Sequence, residues 1–289
     1  MSYQNNLNIY VSNVCNLNCK YCYREESKIN IEKTDPEQIL EKLDEFKEKG
    51  INSIHFTGGE PLLWPGLLKT LRAVKKIGFT TKITTNCTVE IPKELIKLVD
   101  KFILSIDGLQ NTMRIHRGIQ DFNIVKKNLI ELKNNKSCID LNVVVTKYNL
   151  NLFHSEIFQI IEEYKLKDIL EKVTILWVYS KDSKLQLEQD DILIFNRNVQ
   201  KLIELLEYKI NIQTNMLSRN NFLQLLDADM FKFPIWFDAI ERVYYTSIKI
   251  KYNTLGNLFD NYNDDSKKLI EDILSNNNDY FDPVGGAIQ

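Results

Sequence analysis

No cysteine follows Cys138 in this 289-residue chain, and the five present do not suit a secreted disulfide framework, because the count is odd and three are crowded into Cys15–Cys22. A reducing cytoplasm is therefore the expected compartment. Histidine is scarcer still, at three, and Cys87 and Cys138 stand alone without a CxxC or HxxxH partner. The two separated ligand pairs of a structural zinc site are thus missing. No run of about 18 apolar residues occurs, and the opening Met-Ser-Tyr-Gln-Asn-Asn-Leu-Asn has neither a charged n-region nor an apolar h-region, so a soluble chain with no membrane partner is expected. Nor is there a surplus of positive charge: 37 Lys and Arg face 39 Asp and Glu, which argues against a nucleic-acid-binding surface. Fixed short repeats and low-complexity blocks are absent too, apart from Asn276–Asn278.

What remains is an ordinary globular composition, 44% hydrophobic and 26% charged, in one or two domains. Strand-like alternation at 7–12 leads into the cysteine-rich stretch. Thr34-Asp35-Pro36-Glu37 then offers a cap and a proline for the first turn of a helix closed by Gly50. A strand over 53–57 and a helix from about 67 to Gly78 follow. The unit recurs as strands 80–85, 102–106, 140–146 and 173–179, with helices 92–99, 122–134, 152–164 and 191–208. Six strands alternating with six helices imply a parallel sheet with right-handed crossovers. Periodicity alone does not choose between a doubly wound sheet and a barrel. In either, functional groups belong at the C-terminal strand ends, where the cysteines, Gly58-Gly59-Glu60, Asn86 and the Ser105/Asp107 pair all fall.

Cys15, Cys19 and Cys22 stand at a CxxxCxxC spacing directly after the first strand. Thiolates this close can address one metal centre from a single loop, and three of them leave one corner of a cubane cluster without a protein ligand. A zinc loop or buried thiols are the alternatives. Gly58 and Gly59 have no side chains, so backbone groups there can approach a ligand closely, with an ordinary turn before a helix as the alternative. Ser105 and Asp107, two apart on a strand, share a face.

The CxxxCxxC stretch with Tyr21 before its last cysteine, the Thr57-Gly58-Gly59-Glu60-Pro61 segment, and Ser105-Ile-Asp107-Gly108 followed by His116-Arg117-Gly118 together resemble the radical S-adenosylmethionine (radical SAM) superfamily, in that family's order. The resemblance implies an α/β fold, a partial (β/α)6 TIM-type barrel over 1–208. It implies a 4Fe-4S cluster on Cys15, Cys19 and Cys22, and S-adenosyl-L-methionine bound by Tyr21, Gly58, Gly59, Glu60, Asn86, Ser105, Asp107 and Arg117. Within that set Ser105 and Asp107 would take the ribose hydroxyls, Arg117 (with Arg114 as competitor) the methionine carboxylate, and Tyr21 a place near the adenine. It also implies reductive cleavage to methionine and a 5′-deoxyadenosyl radical, with an electron donor such as flavodoxin or ferredoxin.

Cys87, next to the end of the Thr84-Thr85-Asn86 strand, is weighed as a catalytic hydrogen-atom donor against burial as a small apolar residue. His55, His154 and Cys138 read as structural, and His116 as a core or capping residue. Residues 209–289 form a small α+β extension rich in aromatics, with a hairpin centred on 244–259 and a helix over 266–274. This part vaguely resembles the extensions of peptide-modifying (SPASM and twitch) members, but without their auxiliary-cluster cysteines. A peptide substrate is the leading reading, a small molecule (nucleotide, sugar or amino acid) the second, and a non-catalytic iron-sulfur or zinc protein the reading from another class. The aromatic C-terminal segment is expected to close the barrel and form one substrate wall, and the small-residue-rich tail from Asp282 reads as mobile, with a fold over the barrel mouth as the alternative.

Overall fold

The structure, a computed structural model, describes residues 6–22, 34–178, 180 and 182–214, together with the backbone of four short strands, 217–218, 235–238, 243–246 and 280–281. Strands β1 (Asn6–Tyr10), β2 (Ser53–Thr57), β3 (Thr80–Thr85), β4 (Lys101–Ser105), β5 (Cys138–Val145), β6 (Leu170–Trp177) and β7 (Asn211–Thr214) pair in parallel, each with the next in sequence. The order runs from β1 to β7 without reversal. A doubly wound sheet would reverse at a switch point. An unreversed order with right-handed crossovers keeps every helix on one face, which is the wall of a barrel. The wall is not closed, as the partial barrel requires: β9 (Ile235–Asp238) pairs with the free side of β1, and β10 (Val243–Thr246) pairs antiparallel with β9. A separate pair joins β8 (Leu217–Ser218) to β11 (Tyr280–Phe281).

The helices follow the expected rhythm with two differences. The segment expected as one helix up to Gly50 is two, α1 (Pro36–Leu40) and α2 (Leu43–Glu48). Asp35 caps α1 by accepting from the Glu37 amide, Pro36 sits in its first turn, and Gly50 at φ 75° ends α2. Next come α3 (Leu67–Ile77), terminated by left-handed Gly78, and α4 (Lys93–Leu98). The second difference is α5 (Gln110–Arg117), a helix that hydrophobic periodicity does not reveal because its buried face is Thr112, Met113, His116 and Arg117. The remaining helices, α6 (Asn123–Asn134), α7 (Phe153–Glu163) and α8 (Ile192–Leu205), lie where expected.

Past residue 208 the alternation continues for one strand more than expected, since β7 adds Asn211–Thr214 to the sheet. The hairpin there is β9–β10, set earlier than the expected one. Of the expected hairpin only 244–246 falls on described residues; the rest of it, the helix over 266–274 and the tail from 282 lie outside them.

The two faces of the sheet differ chemically. Ile54, Phe56, Ile83, Phe102 and Leu104 are fully buried in one cluster with Leu71, Val74, Leu95 and Leu129 from the helices. Each such side chain contributes about 1.5–3 kcal/mol. Many of the alternate positions are polar and partly open, Thr80, Lys82 and Thr84 on β3 and Lys101 and Ser105 on β4, with the apolar Ile103 between the last two. Across this face His55 bridges Asn8 Oδ1 (2.7 Å) and Thr84 Oγ1 (2.7 Å). A barrel whose interior were only packing would carry branched apolar residues here.

Candidate active site

The cysteine loop leaves the C-terminal end of β1 and is held by three separate segments. The first is Gly58-Gly59-Glu60 at the end of β2: the Gly59 amide donates to Ser12 O (2.6 Å) and the Glu60 amide to Val14 O (2.8 Å). A Cβ on Gly59 would lie 2.2 Å from Val14 O, and one on Gly58, where φ is +131°, 2.7 Å from Ser12 O. The glycines are therefore required by the backbone of the cysteine loop itself. The second is Asn86 at the end of β3, whose Nδ2 donates to Asn16 Oδ1 (3.0 Å) and points at Cys15 Sγ (3.7 Å). The third is the last turn of α5, where His116 O accepts from the Lys20 amide at 3.0 Å.

Cys15, Cys19 and Cys22 are free and partly exposed on this loop. Among the described residues no three His, Cys, Asp or Glu side chains converge as a ligand set for a single ion. That spread does not count against a cluster, whose thiolates are bound by different irons. The donor set, three thiols on one loop with no fourth beside them, fits a cluster with one open corner. Burial pushes the Cys19 thiol up to about 11, with Arg117 pulling the other way, so a thiolate there depends on coordination.

Glu60, expected on the cofactor, is 1% exposed, and both its oxygens are used within the chain. Oε1 accepts from the Leu62 amide (3.1 Å) and Thr85 Oγ1 (2.8 Å), and Oε2 from the Asn86 amide (2.8 Å). Burial raises its pKa against these hydrogen bonds. Its place is a brace between the ends of β2 and β3.

Asp107 and Arg117, expected on the ribose and the carboxylate, face each other instead. Asp107 is fully buried. It receives Arg117 Nε at 2.9 Å and Nη2 at 2.8 Å, the Val144 amide at 3.0 Å, and the Tyr21 hydroxyl. His116 Nδ1 stands 3.3 Å from the same carboxylate, and its Nε2 meets Thr146 Oγ1 at 2.9 Å. Burial works against the charge on Asp107, but Arg117 and His116 hold the carboxyl well below the usual carboxylate range. Tyr21 is expected near the adenine; its hydroxyl is turned to Asp107 and its ring lies edge-on to His116. Ser105 stays half-buried on the polar face and Asn86 beside Cys15, both within reach of the loop's surroundings.

Cys87 is not a substrate-facing thiol. Just past the end of β3, Asn86 turns to the cysteine loop and Cys87 away from it, where it is 0% exposed in the apolar cluster. Burial pushes its thiol up to about 12. Its left-handed backbone, φ 63°, is held by Asn128, whose amide nitrogen donates to Cys87 O (3.0 Å) and Val89 O (2.9 Å). Sequence reasoning passed over Asn128 and Thr146. Thr146 sits just beyond the end of β5, level with the other site groups, and that position is its one signal.

Comparison with known proteins gives the family and the fold. Residues 9–155 match the model of the radical SAM superfamily. The radical SAM cyclopropyl synthase TigE of Paramaledivibacter caminithermalis is 29% identical over 230 residues, covering 71% of this chain and 47% of that protein. An S-adenosylmethionine-dependent nucleotide dehydratase of Flammeovirga pacifica is 28% identical over 163 residues, 50% of this chain and 55% of its own. The chain thus spans about half the length of these two relatives. In fold it resembles Streptococcus suis SuiB in complex with the precursor peptide SuiA, with a TM-score of 0.64 and 18% identity over 83% of this chain and 58% of that one. With the family model spanning half of its length, from β1 through the cysteine loop and α5 into α7, the chain belongs to the radical SAM superfamily.

Proposed function

We propose that the chain is a radical SAM enzyme with a single 4Fe-4S cluster, held by Cys15, Cys19 and Cys22, that acts on a peptide. The observation that carries the cluster assignment is the cysteine loop at the C-terminal end of β1, pinned by Gly59, Glu60 and Asn86 with three thiols partly exposed. In this family the cluster and S-adenosylmethionine together supply a 5′-deoxyadenosyl radical that abstracts hydrogen from the substrate. The chain's own residues place and shield. Gly58 and Gly59 let the loop lie against β2, Asn86 orients the Cys15 end, Ser105 offers a hydroxyl to the cofactor, and the polar face of the sheet receives the substrate. A reduced donor such as flavodoxin or ferredoxin provides the electron.

The peptide reading is supported by the likeness in fold to a protein solved with a precursor peptide bound. The nucleotide dehydratase match favours a second reading, a small-molecule substrate on the same polar face. On either reading the barrel unit comprises 1–208, and 209–289 is an extension that widens the sheet at β7 and at β9–β10.

Anaerobic reconstitution tests the cluster assignment: about four irons and four sulfides per chain are expected, lost on replacing Cys15, Cys19 or Cys22 by Ala and kept in Cys138→Ala. Stoichiometric zinc without iron-sulfur absorbance would refute it. For the substrate, S-adenosylmethionine cleavage is measured with a precursor peptide encoded beside the enzyme and with nucleotides. Peptide mass change coupled to cleavage supports the peptide reading, and coupling to a nucleotide alone overturns it.

A further inference from the structure

The contacts that bind α5 to the cysteine loop form one continuous buried network, and its members do more than fill space. Tyr21 lies between Cys19 and Cys22, so two of the three thiols flank it. Its hydroxyl ends on Asp107 Oδ2, a carboxylate with no solvent exposure that already holds the Arg117 guanidinium through two hydrogen bonds and the Val144 amide through a third. The guanidinium lies 5.5 Å from the centroid of the Tyr21 ring, and the Lys20 amide, one residue earlier, is bonded to His116 O. The Lys20 ammonium reaches the face of Tyr148 at 5.3 Å, whose ring lies against His116. The segment Cys19–Cys22 is thus tied to α5 and β5 by backbone, hydroxyl and cation together.

A buried ion pair is costly to desolvate and is weak evidence for stability in itself. What it offers here is direction. A bidentate Arg–carboxylate pair has fixed geometry, and the amide of β5 and His116 Nδ1 hold the carboxylate further, so the direction from which Oδ2 accepts the Tyr21 hydroxyl is set. A phenol bonded there sets both the height and the rotation of the backbone between the two cysteines, which apolar packing would not.

We propose that Tyr21, Asp107 and Arg117 form a latch that holds the Cys19–Cys22 segment in the conformation that presents its thiols, with His116 and Thr146 behind it. Asp107 and Arg117 are then positioning residues that act through Tyr21. This rests on the cluster assignment above.

Tyr21→Phe tests the latch while keeping the ring and the ion pair. Wild-type and variant chains are reconstituted anaerobically, and the first-order loss of iron to a ferrous chelator is followed together with S-adenosylmethionine affinity and the melting temperature of the iron-free chain. Failure of the wild type to take up iron would refute the cluster assignment instead. With a cluster present, the latch predicts iron loss roughly ten- to a hundredfold faster in Tyr21→Phe, the weight of one charge-assisted hydrogen bond. It also predicts an iron-free melting temperature within a few degrees of wild type. Asp107→Asn should lose iron at least as fast, and adding Tyr21→Phe to it should change nothing more, because the shared bond is already gone. Should Asp107→Asn not fold, Arg117→Lys replaces it: it keeps the charge, lacks the fork, and is expected between wild type and Tyr21→Phe. Iron loss at the wild-type rate in Tyr21→Phe overturns the latch, as does additivity in the double variant. Loss of S-adenosylmethionine affinity in Arg117→Lys at an unchanged iron-loss rate would assign Arg117 to the cofactor directly and likewise overturn it.

Discussion

Gly59→Ala is the smallest change that should separate the cysteine loop from the sheet. The new Cβ would stand 2.2 Å from Val14 O, 2.7 Å from Val14 C and 2.9 Å from Asn13 C, all of them backbone atoms without a rotamer to yield. To reach the roughly 3.5 Å of ordinary contact, the Val14 carbonyl must retreat by more than about 1 Å. That stretches the bonds from the Gly59 amide to Ser12 O and from the Glu60 amide to Val14 O, now 2.6 and 2.8 Å. Overpacking of this kind costs about 1–3 kcal/mol and each of the two weakened backbone bonds about 0.5–1.5 kcal/mol, giving about 2–6 kcal/mol in all. Gly78→Ala is the control: its Cβ meets nothing within 4 Å, so only the strain of its left-handed backbone, φ +89°, applies, at about 1 kcal/mol. Urea denaturation gives the two stabilities, and iron content after reconstitution reports the loop. Gly59→Ala should fold but fall well below Gly78→Ala in stability and bind substoichiometric iron. If the two variants unfold alike and both take up full iron, the Gly59 contact with the loop is not what the argument requires.

Cys87→Ala should leave iron content and S-adenosylmethionine cleavage coupled to product unchanged while lowering stability by about 1 kcal/mol, because it removes one buried sulfur from an apolar cluster; loss of product with intact cleavage would return the thiol to the substrate. His55 gives a pH dependence: burial, with Lys82 and Lys172 adding to it, lowers its pKa to about 3. Between the unfolded value near 6.5 and that folded value, the unfolded chain takes up a proton that the folded chain refuses. Stability should therefore fall with pH from 6.5 downwards, by about 2 kcal/mol at pH 5 from this residue. Denaturation series at pH 7 and pH 5 on wild type and His55→Asn check this, and equal pH slopes would count against it.

Where the chain speaks through apolar rhythm and punctuation, sequence and structure agree to a residue or two. β2, α3 and β3 are bounded by Gly58, Gly78 and the alternation of Thr80–Thr85, and each lies where expected. The disagreements arise where burial is polar. α5 buries Thr112, His116 and Arg117, so no hydrophobic stripe marks it. Asp107 and Arg117 are in the expected region but are turned to one another, and no spacing rule tells a carboxylate that awaits a ligand from one that has found an arginine ten residues on. Cys87 shows how a single step decides a side: its neighbour Asn86 faces the loop while Cys87 faces the helices. The glycines at 58 and 59 were legible as sites of close approach, but what approaches them is the chain's own backbone.

The pairing of β1 with β9 has a consequence for the order in which the chain is made. Each of β2 to β7 emerges soon after its partner and can dock as it leaves the ribosome, a local and sequential assembly. β1, the strand that leads into the cysteine loop, is different: its second edge meets Leu7↔Ile235, about 230 residues downstream, so at roughly 5–20 residues per second that edge stays uncovered for about ten to fifty seconds. Of the described strands in the sheet, β1 is made first, yet its second edge is covered only after the whole parallel wall from β2 to β7 has been made.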